Sequence, residues 1–149
     1  MSLSVPALLR LKARRFSVLS FMWEPQSKRP MPHCVLVVDD NAQLRRIIRT
    51  QIESAGLEVC GEAVDGLDAL EKVRQLKPDL IILDLSMPRM NGIDAAREIA
   101  RICPDVPILL YTMHADVLRS GRKLPEGVTE VVAKHENLLA RVLDALAFV

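Results

Sequence analysis

Short runs of uninterrupted apolar residues constrain this chain more than any other feature. Val35-Leu36-Val37-Val38, Leu80-Ile81-Ile82-Leu83, Ile108-Leu109-Leu110-Tyr111 and Val131-Val132-Ala133 are too short for helices. They also lack the polar alternation of a strand with one wet face. Such runs belong to strands buried on both sides, which means a sheet covered by helices on both faces.

The stretches between the runs supply those helices. Asn41 is placed to cap the first, in which Leu44, Ile47, Ile48, Ile52 and Ala55 fall on one face and Gly56 is the stop. Residues 57–63 read as a further strand. Residues 66–76 form a helix with Leu67, Leu70 and Val73 inward, ended by Pro78. Asn91-Gly92 opens the next, with Ile93, Ala96, Ile99 and Ala100 inward. The fourth strand covers 106–111. A weak helix spans 114–123, disturbed by Gly121 and closed by Pro125. Residues 128–133 are the fifth strand, and Leu138, Leu139, Val142, Leu143 and Leu146 mark a final amphipathic helix. Strands alternating with helices in this way require right-handed crossovers and a parallel sheet. In that architecture chemistry gathers outside the carboxyl ends of the strands.

Those ends carry Asp39-Asp40, Glu62, Asp84, Thr112 and Lys134. Each alone is an ordinary polar strand end. Together they converge carboxylates, a hydroxyl and an ammonium. Neighbouring carboxylates repel and resist burial, so they call for a cation. Mg2+, which takes oxygen ligands and only one or two protein carboxylates, suits such a site; Lys134 is the other available cation.

Composition narrows the rest. With 149 residues, half of them apolar and 26% charged, the chain can build one core. No stretch approaches the roughly 18 apolar residues of a membrane span. The net charge of +1 hides an asymmetry: residues 1–30 hold six Lys/Arg and one Glu, while residues 31–149 hold 14 Lys/Arg against 18 Asp/Glu. A net basic excess confined to one end argues against direct nucleic-acid binding along the chain. Residues 1–30 are read as a basic extension, and three readings stand for it: a disordered tail or misplaced start, an arm that touches a partner or anionic lipid, or a targeting peptide. Cys34, Cys60 and Cys103, odd in number and without CxxC spacing, read as reduced in a cytoplasmic protein.

From residue 33 onward the chain resembles the receiver domains of bacterial two-component response regulators, and in particular the stand-alone, chemotaxis-regulator-like ones. The resemblance is carried by Val37-Val38-Asp39-Asp40-Asn41, by Asp65-Gly66-Leu67-Asp68-Ala69-Leu70, and by Leu83-Asp84-Leu85-Ser86-Met87-Pro88-Arg89-Met90-Asn91-Gly92, with Thr112 and Lys134 following in order. It implies a (βα)5 flavodoxin-like fold over residues 31–149; with nothing following residue 149, no attached output domain is expected. It implies that Asp84 accepts a phosphoryl group from a sensor histidine kinase or phosphotransfer protein. It implies that Asp40, Asp84 and the Ser86 carbonyl hold Mg2+, with Asp39 acting through water, and that Thr112 and Lys134 contact phosphoryl oxygens. Phosphoryl transfer needs in-line positioning and charge neutralisation, which this set supplies. The only chemistry expected is the domain's own phosphorylation and dephosphorylation. Output would pass through segment 113–127 to a downstream protein or a phosphate relay.

Departures from the family pattern mark where this chain differs. His135 stands where the family usually has a cis proline after the lysine. Val131 replaces a frequent aromatic, and Met113 follows Thr112 where a small residue is usual. His114, two residues after Thr112, is a candidate modulator of phosphoryl lifetime. A second reading follows from these: a degenerate receiver that binds partners without switching. A flavin binder or haloacid-dehalogenase-type phosphatase on the same layout is disfavoured, because residues 39–43 are acidic rather than a phosphate loop, and Asp84-Leu85-Ser86 lacks a second Asp.

Overall fold

The computed structural model describes residues 33–147. The expected extension over residues 1–30 and its boundary at residue 31 lie outside them.

The strands are β1 (Cys34–Val38), β2 (Glu58–Ala63), β3 (Leu80–Asp84), β4 (Ile108–Thr112) and β5 (Glu130–Ala133). The helices are α1 (Ala42–Ser54), α2 (Gly66–Leu76), α3 (Gly92–Ile102), α4 (Ala115–Arg119) and α5 (Leu138–Leu146). All strands pair in parallel, in the order β2-β1-β3-β4-β5. The chain steps outward from β1 to β2, then returns past β1 to β3. The order therefore reverses between β1 and β3, where a doubly wound sheet opens a crevice.

The sheet is buried on both sides, as the apolar runs require. Val35, Val37, Leu80, Ile82, Leu109, Tyr111 and Val132 pack against Ile48 and Ile52 of α1 and Leu138, Val142 and Leu146 of α5. Leu36, Val38, Ile81, Leu83, Ile108, Leu110 and Val131 pack on the opposite face beneath α2, α3 and Ala115 of α4. The alternation of strand side chains divides these residues between the two layers.

Several inward assignments are corrected. Ile47, Leu67 and Leu143 are each close to half exposed, and Ala55 is an exposed C-cap. The buried stripes are narrower than the sequence suggests: Ile48 and Ile52 on α1, Ala69 and Val73 on α2, Ala95, Ala96 and Ile99 on α3. Small alanines at the α2 and α3 contacts let these helices lie close to the sheet, leaving the larger side chains at the margins. The fourth strand runs to Thr112 and starts only at Ile108, and the fifth starts at Glu130. The weak helix is shorter still, with five residues.

The reading of all three cysteines as reduced fails at two of them. Cys34 and Cys60 form a disulfide, with Cα atoms 5.3 Å apart and 26 residues of sequence separation. The register of β1 on β2 shifts between Val35 and Leu36, so that Val35 pairs with Val59 but Leu36 with Gly61. Cys60 is the residue left over, beside the start of β1. Cys103 is free and partly buried, and burial pushes its thiol up.

Candidate functional site

Asp39 follows directly on β1 and Asp84 closes β3, so the two acids flank the point where strand order reverses. Asp40 follows Asp39. Carboxylate oxygens of Asp39, Asp40 and Asp84 all lie within 4.8 Å of one another. Asp39 and Asp84 are buried and Asp40 is exposed. Lys134, one residue past β5, reaches across: its Nζ lies 3.2 Å from Asp39 Oδ2 and 3.2 Å from Asp84 Oδ1.

The electrostatics follow from this packing. Burial raises the Asp84 carboxyl above the usual carboxylate range, and the neighbouring Asp39 adds to the rise, against the opposing pull of Lys134. Burial alone would lower Lys134, but Asp84 and Asp39 together outweigh it and hold the ammonium above its ordinary range. The acid cluster is thus partly neutralised by the protein itself.

Asp39 has little freedom left. Its Oδ1 accepts the Asn41 N–H at 2.8 Å and its Oδ2 accepts from Lys134, while its backbone carbonyl accepts from Arg45 Nη1 at 2.7 Å. The exposed Asp40 is less tied. A cluster of three convergent carboxylates fits a hard divalent cation, which takes oxygen ligands.

The loop after Asp84 is fastened at both ends. Gly92 N–H donates to the Leu85 carbonyl at 2.8 Å, and a Cβ at Gly92 would collide with the Asp84 backbone carbonyl. Arg89, with φ 63°, adopts the left-handed conformation and places its Nε 2.7 Å from the buried Asp65 Oδ2. Ser86 is exposed within this loop.

Thr112 is buried at the end of β4, and its Oγ1 accepts the His114 N–H at 3.1 Å. His114 and Met113 are exposed, Met113 by 74%. Val131 is buried in the sheet, and its carbonyl accepts from Arg119 of α4 at 2.6 and 3.2 Å. Glu62, a strand-end acid by sequence, does not join the site. It pairs with Arg45 at 3.3 Å and Arg49 at 3.0 Å, both on α1. No peptide among the described residues is cis, so the bond between Lys134 and His135 is trans. Two features escaped the sequence reading: the Asp65–Arg89 pair, and Tyr111, whose hydroxyl donates to the Lys134 carbonyl at 3.0 Å. Strand parity is the signal that could have placed Tyr111, because 35, 37 and 39, then 80, 82 and 84, then 109 and 111, share one face.

Residues 35–144 match the family described as the response regulator receiver domain. The chain belongs to that family. This receiver is 34% identical over 104 residues, 70% of its length, to the virulence transcription regulator BvgA of Bordetella pertussis, covering 50% of that protein. It is 60% identical over 58 residues, 38% of its length, to protein-glutamate methylesterase/protein-glutamine glutaminase 5 of Myxococcus xanthus, covering 17% of it. The chain thus spans half or less of these curated relatives. Among solved structures it resembles the signal receiver domain of the putative response regulator NarL from Mycobacterium tuberculosis, with TM-score 0.71, 27% identity, and 79% of this chain and 98% of that one covered. No described helix is long and apolar enough to cross a membrane.

Proposed function

We propose that this receiver is a phosphorylation switch in which Asp84 takes a phosphoryl group from a histidine kinase or phosphotransfer protein, with Mg2+ as cofactor. The observation that carries the reading is the convergence of Asp39, Asp40, Asp84 and Lys134 at the β1/β3 crevice, with Thr112 at the end of the neighbouring strand. An Asp84 carboxylate oxygen attacks phosphorus and the kinase histidine nitrogen leaves, giving an acyl phosphate. Mg2+ would be held by Asp40, Asp84 and the Ser86 carbonyl, and it supplies charge neutralisation at the phosphoryl oxygens.

The chain's own groups do the rest. Lys134 already lies against Asp84 and can turn its ammonium to a phosphoryl oxygen. Thr112 Oγ1 accepts from the His114 N–H, so its own proton is available to a second phosphoryl oxygen. Drawing Thr112 toward Asp84 pulls on the His114 amide and on the start of α4. Segment 113–127, with Met113 and Val117 exposed, is then the surface that changes for a downstream partner. His114 lies beside this route and is placed to tune phosphoryl lifetime.

Incubation with a small phosphodonor and Mg2+, followed by intact mass, tests the reading. Wild type should gain one phosphoryl group and Asp84→Asn none. Asp40→Asn should weaken Mg2+ binding strongly, because it removes the carboxylate with the fewest protein partners. Unlabelled wild type under saturating donor and Mg2+ would favour a module that binds partners without switching.

A further inference from the structure

We propose that Tyr111 is the positioning residue for Lys134. Its hydroxyl fixes the lysine backbone and its ring flanks the ammonium, at a turn where the family's usual proline is absent. The proposal rests on the reading of Asp84 as phospho-acceptor and adds a residue to it.

Tyr111 pairs with Asp84 across β3 and β4 and with Val132 across β4 and β5. It therefore stands between the acid and the strand that delivers the lysine. Its side chain is buried in the layer under α1 and α5. A phenol in such a layer needs a partner for its O–H, and it finds one in the Lys134 carbonyl at 3.0 Å. The same residue's Nζ lies 5.9 Å from the ring centroid, within the range of a cation–π contact. One side chain thus touches Lys134 at its backbone and at its charged end. With His135 in place of proline, the peptide after Lys134 is an ordinary trans bond with no ring to restrict it. Lys134 N–H donates to the Thr112 carbonyl and Glu136 N–H to the Ala133 carbonyl. The Glu136 side chain closes this turn on the Ala133 N–H, and the Tyr111 hydroxyl is what holds the Lys134 carbonyl itself, the one that precedes His135. Without it the lysine would retain its attraction to two acids but lose the fixed origin from which it reaches them.

Two variants separate the parts. Tyr111→Phe removes the hydroxyl and keeps the ring; Tyr111→Leu removes both. With small phosphodonor and Mg2+, Tyr111→Phe should label Asp84 roughly threefold to tenfold more slowly, the range a single hydrogen bond commands. Tyr111→Leu should be slower again, while Mg2+ affinity stays within about twofold, because the Tyr111 side chain hydrogen-bonds the Lys134 carbonyl and none of the proposed metal ligands. A second readout does not depend on labelling: amide exchange over residues 134–136, which should accelerate several-fold in Tyr111→Phe and at least as much in Tyr111→Leu, because the tie on the Lys134 carbonyl is lost. Thermal unfolding of both variants identifies a change that is merely global. Labelling at the wild-type rate with unchanged exchange over 134–136 in Tyr111→Phe overturns the proposal. Unlabelled wild type, with Asp84→Asn as control, would instead overturn the phospho-acceptor reading, and the exchange would still decide the role of Tyr111.

Discussion

Helices α3 and α4 cover the same face of the sheet but are held to it in different ways. In α3, Asn91 caps the start by accepting the Asp94 N–H, and Gly92, Ala95, Ala96 and Ile99 are buried over 11 residues. In α4, His114 makes no side-chain cap, five residues are helical and only Ala115 is buried. Val117, at the middle of α4, is 72% exposed. Beyond the buried Ala115 and the partly buried Leu118, what holds α4 is polar: Arg119 reaches the Val131 carbonyl and Glu136, and Glu136 accepts the Ala133 N–H at 3.0 Å. The crossover that leaves Asp84 is thus fastened by packing, which is all-or-none. The crossover that leaves Thr112 is fastened by a few exchangeable hydrogen bonds. A segment with little buried area can be reordered by one new contact, which suits it to report on the site.

The largest expected effect is a difference in packing cost. Ile99→Ala should lose about 2–5 kcal/mol of global stability in urea unfolding, whereas Val117→Ala should stay within about 0.5 kcal/mol. Equal costs would break the comparison.

Reduction of the Cys34–Cys60 bridge comes next. The 26 residues of separation place its contribution at about 2–4 kcal/mol in a chain-entropy account. The bridge lies on β1 and β2, away from both crossovers, so reduction should lower the melting temperature while leaving the contrast between α3 and α4 intact. A reduced protein that loses protection only in α4 would contradict this.

Smaller and local is the effect of Arg119→Ala. Amide exchange should accelerate several-fold over 113–127 and stay unchanged over 92–102, because Arg119 ties α4 to the Val131 carbonyl and to Glu136. Beryllofluoride with Mg2+ should alter exchange in the same segment of the wild type. The tie is also pH-dependent. Hydrogen bonds from Arg119, then from the Ala133 N–H, lower Glu136 from 4.5 to about 2. Its stabilisation is therefore complete above about pH 4.5 and is lost as pH falls toward 2. Exchange of 113–127, corrected for intrinsic rate, should be flat from pH 7 to 5 and rise below that.

The smallest effects are at the caps. Asn91→Ala should cost about 0.5–2 kcal/mol. His114→Asn should gain a few tenths by giving α4 the cap it lacks, read as slower exchange over 115–119. A gain in α4 comparable to the loss in α3 would show that capping, rather than burial, separates the two helices.

Much of this fold was legible before any coordinates. Val35–Val38 and Leu80–Leu83 lack polar alternation, so they read as strands covered on both sides, and the helix periods between them called for right-handed crossovers and a parallel sheet, without fixing the strand order. The same reading placed Asp39, Asp40, Asp84, Thr112 and Lys134 at one edge, because strand ends in a parallel sheet share that edge. The tertiary structure decided what depends on distance between strands. Glu62 turned to Arg45 and Arg49 on α1 instead of joining the acids. Cys34 and Cys60 came within bridging distance because β1 and β2 are neighbours whose register slips by one residue. Tyr111 met the Lys134 carbonyl across the pairing of β4 with β5. Local periodicity records which way a side chain faces; which residue it meets is set by register and by the neighbour across the gap, and neither is written within a single segment.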